Sequence, residues 1–365
     1  MRVGSRLLAS IVLVAGVVMG VGVTMEAPAA PAAPNPSVFD EAGPSQAPTG
    51  KSDPALRQRF LSEYRTVPPE GRRRVLEAWI PKLGVPGLLD ALESGFPSCH
   101  DHAHELGKAA FAVSQDMPAV LQACQTRCVS GCMHGVLMEA FSERPGSLRE
   151  RIATLCDGAT FRQIHKKGDC VHGVGHGAAY VSDYDVPKAL KLCEAVGERA
   201  YQYYCASGAY MQLFMTYQRQ ISARTDQYPC DEAKQFAAAC YRYKVFFMLA
   251  RAGSRGEGMD AVIKECLGLP TRVQPACFHG IGHASVGAVA QTPARVHEVC
   301  ERGPEPAQWL CIQGIVEKLA EMDEPAAQRV CAELRGKNLE VCQEATRNKL
   351  YGTRKVGLEY YFVGR

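Results

Sequence analysis

The 365-residue chain lacks the short motifs that announce the common enzyme chemistries. It has no G-x-x-x-x-G-K-[ST] loop, no G-x-G-x-x-G after a strand pattern, no G-x-S-x-G, no H-E-x-x-H and no C-x-x-C-H. These absences exclude a P-loop nucleotide site, a Rossmann dinucleotide fingerprint, a nucleophile elbow, a helical zincin site and covalent haem attachment. An excess of one charge sign is missing too. Lys and Arg number 41 against 38 Asp and Glu, for a formal charge of +3. No basic stripe with interleaved aromatics occurs, so nucleic acid is not an expected partner.

The chain is rich in cysteine instead. Its 16 cysteines fall into a two-beat pattern. Cys99, Cys132, Cys170, Cys205, Cys240, Cys277, Cys311 and Cys342 recur every 31 to 38 residues. Cys124, Cys156, Cys193, Cys230, Cys266, Cys300 and Cys331 each precede the next first-beat cysteine by 8 to 14 residues, which leaves Cys128 over. A fixed period in this range is the signature of a stacked repeat. Repeat chains lengthen one continuous core, so the length does not require two domains.

Around the first-beat cysteines lie long helix patterns, such as 200–217 and 307–322. Around the second beat lie shorter amphipathic ones at 148–156, 186–193, 259–266, 293–300 and 324–331. Several start with proline in the first turn, as in Asp185-Val186-Pro187 and Asp323-Glu324-Pro325. The predicted unit is an αα-hairpin. The fold class is all-α, with about seven to eight disulfide-stapled hairpins in a tight superhelix or an α/α-toroid-like ring.

A short helix ending at its cysteine, followed by a turn, brings that cysteine beside the one about two turns into the next long helix. This predicts the pairs Cys156–Cys170, Cys193–Cys205, Cys230–Cys240, Cys266–Cys277, Cys300–Cys311 and Cys331–Cys342. Cys99, Cys124, Cys128 and Cys132 form two more bonds whose pairing stays open. Zinc sites favour close C-x2-C pairs, and near-even spacing speaks for disulfides.

Residues 1–26 read as a signal peptide or signal anchor, with Arg2 and Arg6 before an uncharged apolar run from Leu7 to Met25. Residues 27–53 read as a Pro/Ala-rich disordered linker, 54–98 as a helical cap, 99–352 as the repeats and 353–365 as a tail. The cap is expected to hold three helices, at 54–65, 69–79 and 86–94. The expected location is exported, periplasmic or extracellular, with any membrane attachment through the N-terminal segment.

A disulfide-stapled αα-repeat of this period resembles the Sel1-like repeats, relatives of the tetratricopeptide repeats. The resemblance covers roughly residues 99 to 350 and implies an architecture, not an activity. Cys-x-His-Gly also echoes the small-residue motifs that begin inner helices of α/α-toroid proteins.

Histidines ride on the first beat. Cys-Val-His-Gly-Val-Gly-His-Gly contains His172 and His176, and Cys-Phe-His-Gly-Ile-Gly-His-Ala contains His279 and His283. His134 follows Cys132 by the same two residues, and His100 and His104 follow Cys99 one residue out of register. Ten histidines in this length predict well under one i,i+4 pair by chance, and three occur. Residues four apart share a helix face, so each pair can chelate a cation. His172, His176, His279, His283, His100, His104 and His134 are therefore the candidate metal ligands, and copper, iron or zinc the candidate ions. Glu317, Glu139 and Glu105 are candidate ligands or general bases. His102, His165 and His297 fall outside the set.

The functional expectation is an exported metalloenzyme with a histidine-lined inner face, doing oxidative or hydrolytic chemistry on a peptide or small organic molecule. The alternatives are a non-catalytic adaptor binding a peptide or protein on a concave face, and an envelope copper carrier.

Overall fold

A computed structural model describes residues 53–96, 99–143, 148–157, 167–216, 227–233, 235–253 and 255–348. The N-terminal apolar run, the Pro/Ala-rich stretch up to residue 52, His165 and the tail from 353 lie outside these residues. The described residues form seventeen α-helices and no strand. None of these helices is long and apolar enough to cross a membrane.

Helices α1 (Pro54–Thr66) and α2 (Pro69–Gly95) form the N-terminal layer. α2 runs through the two expected cap helices, but the chain leaves helical geometry at Gly84 (φ 64°), so a break survives inside it. Glycine adopts this left-handed φ without a Cβ penalty. Eight longer helices follow: α3 (His100–Ser114), α5 (Gly131–Glu143), α7 (Lys167–Val181), α9 (Arg199–Thr216), α10 (Ala237–Ala252), α12 (Gln274–Ala284), α15 (Glu305–Met322) and α17 (Gly336–Asn348). Each packs against the next in chain order.

Intervening helices, most of them shorter, lie between them: α4 (Met117–Cys124), α6 (Leu148–Leu155), α8 (Val186–Cys193), α11 (Gly256–Gly268), α13 (Val286–Gln291), α14 (Arg295–Cys300) and α16 (Glu324–Glu333). Three begin alike. Asp116, Asp185 and Asp323 each accept a hydrogen bond from the backbone N–H three residues on, at 3.0–3.1 Å, and each precedes a first-turn proline. The carboxylate satisfies an otherwise orphaned helix donor, and proline gives up none that the helix needs. α13 has no counterpart in the sequence reading. It follows a local break at Ser285, where α12 ends.

All 16 cysteines form disulfides, eight in number. The six expected pairs are present, with Cα–Cα separations of 5.4–5.7 Å. The open pairing resolves as Cys99–Cys128 and Cys124–Cys132. Cys128 is thus the partner of Cys99 and not a leftover. Each short loop closed in this way contributes up to about 3 kcal/mol on the chain-entropy account. That suits α6 and α8, which bury only two residues each.

Closest approach between long helices is set by glycine. A Cβ on Gly175 of α7 would stand 1.9 Å from the Cys205 carbonyl oxygen, and one on Gly208 of α9 would stand 1.9 Å from that of His172. Gly107 and Gly135 make the same reciprocal crossing between α3 and α5, and Gly282 and Gly314 make it between α12 and α15. The helix-propensity cost of these glycines is offset by backbone-to-backbone packing that any side chain would block.

These crossings correct the register expected for the first histidine pair. The carbonyls facing Gly135, Gly208 and Gly314 belong to His104, His172 and His279. His104 is therefore the structural equivalent of His172 and His279. Its i,i+4 mate His100 lies one turn before it, whereas His176 and His283 lie one turn after theirs. Lys108 occupies the position corresponding to His176.

Candidate metal centre

Three helices deliver four imidazoles to one point. α3 supplies His100 and His104, α5 supplies His134 and α7 supplies His176, and one nitrogen from each lies within 4.8 Å of the other three. All four are buried. His134 stacks on His176 with centroids 4.5 Å apart and planes at 18°, while His104 meets His176 edge-on at 5.0 Å. The Nε2 atoms of His100 and His104 are 3.1 Å apart.

A distorted loop sets the orientation of His100. Cys128, Val129 and Ser130 adopt left-handed φ of 49°, 57° and 59° in succession, which is unfavourable for non-glycine residues and most so for a β-branched valine. The Cys99–Cys128 and Cys124–Cys132 bonds tie this loop down on both sides. Its bent backbone brings the Cys128 carbonyl to 3.0 Å from His100 Nδ1, which donates its proton there. Nε2 of His100 then carries the lone pair, facing the cluster. Backbone strain retained beside a polar site is the form that stored strain takes at functional sites.

His172 adjoins the four. Its Nε2 lies 3.2 Å from Nε2 of His176, and its ring is 5.4 Å from that of His134. On its other side, Ser207 Oγ lies 2.8 Å from Nδ1.

Burial is the first cause that pushes His100, His104, His134, His172 and His176 below the ordinary imidazole range, and His176 reaches about 3. The rings also depress one another, and the Lys108 ammonium adds to this at His104 and His176. At neutral pH these imidazoles are neutral, the form that binds metal.

His134 is the test of fit. It is 1 % exposed, and neither of its ring nitrogens has a hydrogen-bond partner among the described residues. Leaving a buried polar atom unpaired costs about 1–3 kcal/mol. A cation among the four rings would satisfy it. The donors are nitrogens only, and with every cysteine in a disulfide no thiolate competes. Imidazole donors suit zinc, copper, iron or nickel and do not suit calcium or magnesium.

The remaining candidates lie elsewhere. His279 Nε2 is 3.0 Å from Glu317 Oε2, both buried, and between α12 and α15 they form a separate pair. His283 Nδ1 is buried without a hydrogen-bond partner among the described residues, and its ring lies edge-on to Tyr243 and Phe246. Tyr243 separates the two regions, 5.5 Å from the His172 ring and 5.6 Å from that of His283. Glu139 is held by Arg73 at 2.7 Å and Glu105 by Lys108 at 2.8 Å. His102 turns away, with Nδ1 3.1 Å from the Tyr64 hydroxyl and its ring against Phe96. His297 pairs with Glu301 at the surface.

Sequence reasoning gave no role to Gln212, whose Oε1 lies 2.7 Å from His176 Nδ1, nor to the Cys128 carbonyl. Ser207 sits two residues after Cys205, the place that histidine holds after Cys132, Cys170 and Cys277, and that place is the signal for it. Gln212 and Cys128 have no such place.

The chain matches no family model, no curated protein and no solved structure.

Proposed function

We propose that this is an exported protein whose His100, His104, His134 and His176 hold one transition-metal ion. The observation that carries this reading is His134, a buried imidazole with both nitrogens unpartnered and three other imidazoles around it. Eight disulfides suit an oxidising compartment, where copper, iron or zinc would be acquired. In this reading His100, His134 and His176 are ligands from three different helices, so the ion ties α3, α5 and α7 together. A bound ion would supply Lewis acidity or, for copper and iron, one-electron chemistry.

The serial packing of the long helices is read as a tight superhelix or ring. Two observations support it: His172 of α7 reaches Tyr243 of α10, and the Lys318 charge on α15 acts on His100 of α3 and His172 of α7.

Burial of all four rings favours a resident ion over one exposed to bulky substrates. Oxidative or hydrolytic catalysis on a small molecule is the second reading, favoured by the buried His279–Glu317 pair beyond Tyr243. An adaptor role has less support, because among the described residues the exposed large apolar residues Val113, Leu267 and Met322 sit on separate helices.

Replacing His134 with alanine tests the reading. Bound metal should fall from one equivalent per chain to a small fraction, with helicity retained because the disulfides persist. Retention of a full equivalent would contradict it.

A further inference from the structure

The eight disulfides differ in exposure and in what surrounds them. Fifteen of the sixteen cysteines are buried, and Cys99 alone is half-buried. Its bond to Cys128 spans 29 residues, where the six helix-to-helix staples span 10 to 14. Thiol–disulfide exchange requires a thiolate to reach one sulfur, so access selects this bond for opening.

A carboxylate stands beside the same bond. Glu93, exposed near the end of α2, has Oε1 3.9 Å from Cys128 Sγ. One of its oxygens and the sulfurs of Cys99 and Cys128 all lie within 4.8 Å of one another. Among the described residues, no other disulfide has a third donor this close.

The neighbourhood does not depend on the disulfide for its assembly. Arg127, the residue before Cys128, donates to Glu93 at 2.5 and 3.2 Å and to the Pro86 carbonyl at 3.1 Å, and it pairs with Asp90 at 2.7 Å. All three partners belong to α2. The Cys124–Cys132 bond closes the loop around Cys128, and α3, which begins just after Cys99, packs on α2. Opening Cys99–Cys128 therefore leaves both sulfurs beside Glu93.

We infer that Cys99, Cys128 and Glu93 form a second metal site, closed in the disulfide form and opened by a dithiol protein. One thiolate of that protein attacks Cys99 Sγ, and the bond to Cys128 breaks with Cys128 leaving as the thiolate. The second thiol of the donor then resolves the mixed disulfide. Two electrons pass to the cysteine pair, the donor leaves as its own disulfide, and both cysteines become thiols. Metal binding displaces their two protons. Two thiolates and one carboxylate suit zinc, and the thiolates suit copper(I). The site stands on its own contacts and does not require an ion among the imidazoles. It adjoins them, because Cys99 precedes His100 and the Cys128 carbonyl lies 3.0 Å from His100 Nδ1.

Cadmium chloride is the probe, because cadmium bound to thiolate has an ultraviolet charge-transfer band that cadmium bound to imidazole lacks. Full-length protein is treated briefly with dithiothreitol without denaturant, and the freed thiols of one portion are alkylated and located by peptide mapping. Cys99 and Cys128 should be the first pair labelled. The treated protein should bind one equivalent of cadmium with the thiolate band, and the untreated protein should show no such band. Glu93→Gln should weaken this binding by about tenfold or more, since the loss of even an outer-shell partner costs about 10–100-fold. A different bond opening first, freed Cys99 and Cys128 that give no thiolate band, or Glu93→Gln binding as tightly as the wild type would overturn the inference.

Discussion

Gly208 of α9 lies so close to His172 of α7 that a Cβ on the glycine would stand 1.9 Å from the histidine carbonyl oxygen. The contact sets the distance between the helix that carries two imidazoles and the helix that orients them. Gly208→Ala must push the backbones apart, and overpacking of this kind costs about 1–3 kcal/mol, occasionally more. A loss at the upper end of that range is expected in urea denaturation. Gly268→Ala is the control, because nothing lies within 4 Å of a Cβ there, and a change within about 1 kcal/mol is expected. Equal effects of the two substitutions would contradict the close crossing.

Metal affinity should depend on a disulfide that itself supplies no metal ligand. The Cys128 carbonyl accepts from His100 Nδ1, and the Cys99 bond helps hold that carbonyl in its strained position. In the double variant Cys99→Ala/Cys128→Ala, competition with a chelator should show an affinity about 10–100-fold weaker, the usual effect of losing an outer-shell partner. Unchanged affinity would mean that the loop does not orient His100.

How much of this was legible in the chain depends on range. The disulfide pairs are local, between cysteines 10 to 14 residues apart, so a short helix and a turn sufficed to predict six of them. The helix starts at Asp185 and Asp323 are local as well. Convergence of His100, His104, His134 and His176 is not local, because it depends on how deeply neighbouring helices approach. Gly107 and Gly135 fix that depth for α3 and α5, and aligning α3 on Cys99 hid the match of His104 to His172. Gln212 was invisible for a related reason. It lies seven residues after Cys205, on a face that meets His176 only once α7 and α9 are packed.

The metal-free protein should lose stability in acid. An unfolded imidazole takes up a proton near pH 6.5, whereas burial holds His176 neutral down to about 3, and the neighbouring rings are shifted in the same direction. Between those values the unfolded chain binds more protons than the folded one, so stability is full above about 6.5 and falls as pH drops towards 3. The urea midpoint should be lower at pH 5 than at pH 7.5. An equal or higher midpoint at pH 5 would contradict neutral, buried imidazoles.

The central claim is one ion in an all-imidazole shell. Elemental analysis and X-ray absorption should be carried out together on protein exported with its disulfides and purified without chelator or a nickel column. The account predicts one equivalent of copper, iron or zinc per chain, with nitrogen as the only nearest neighbour at about 2.0–2.1 Å and the outer-shell scattering of imidazole rings. It also predicts loss of that signal in His134→Ala. A metal-free wild type that takes up none of these ions on addition, or a shell containing sulfur, would contradict it.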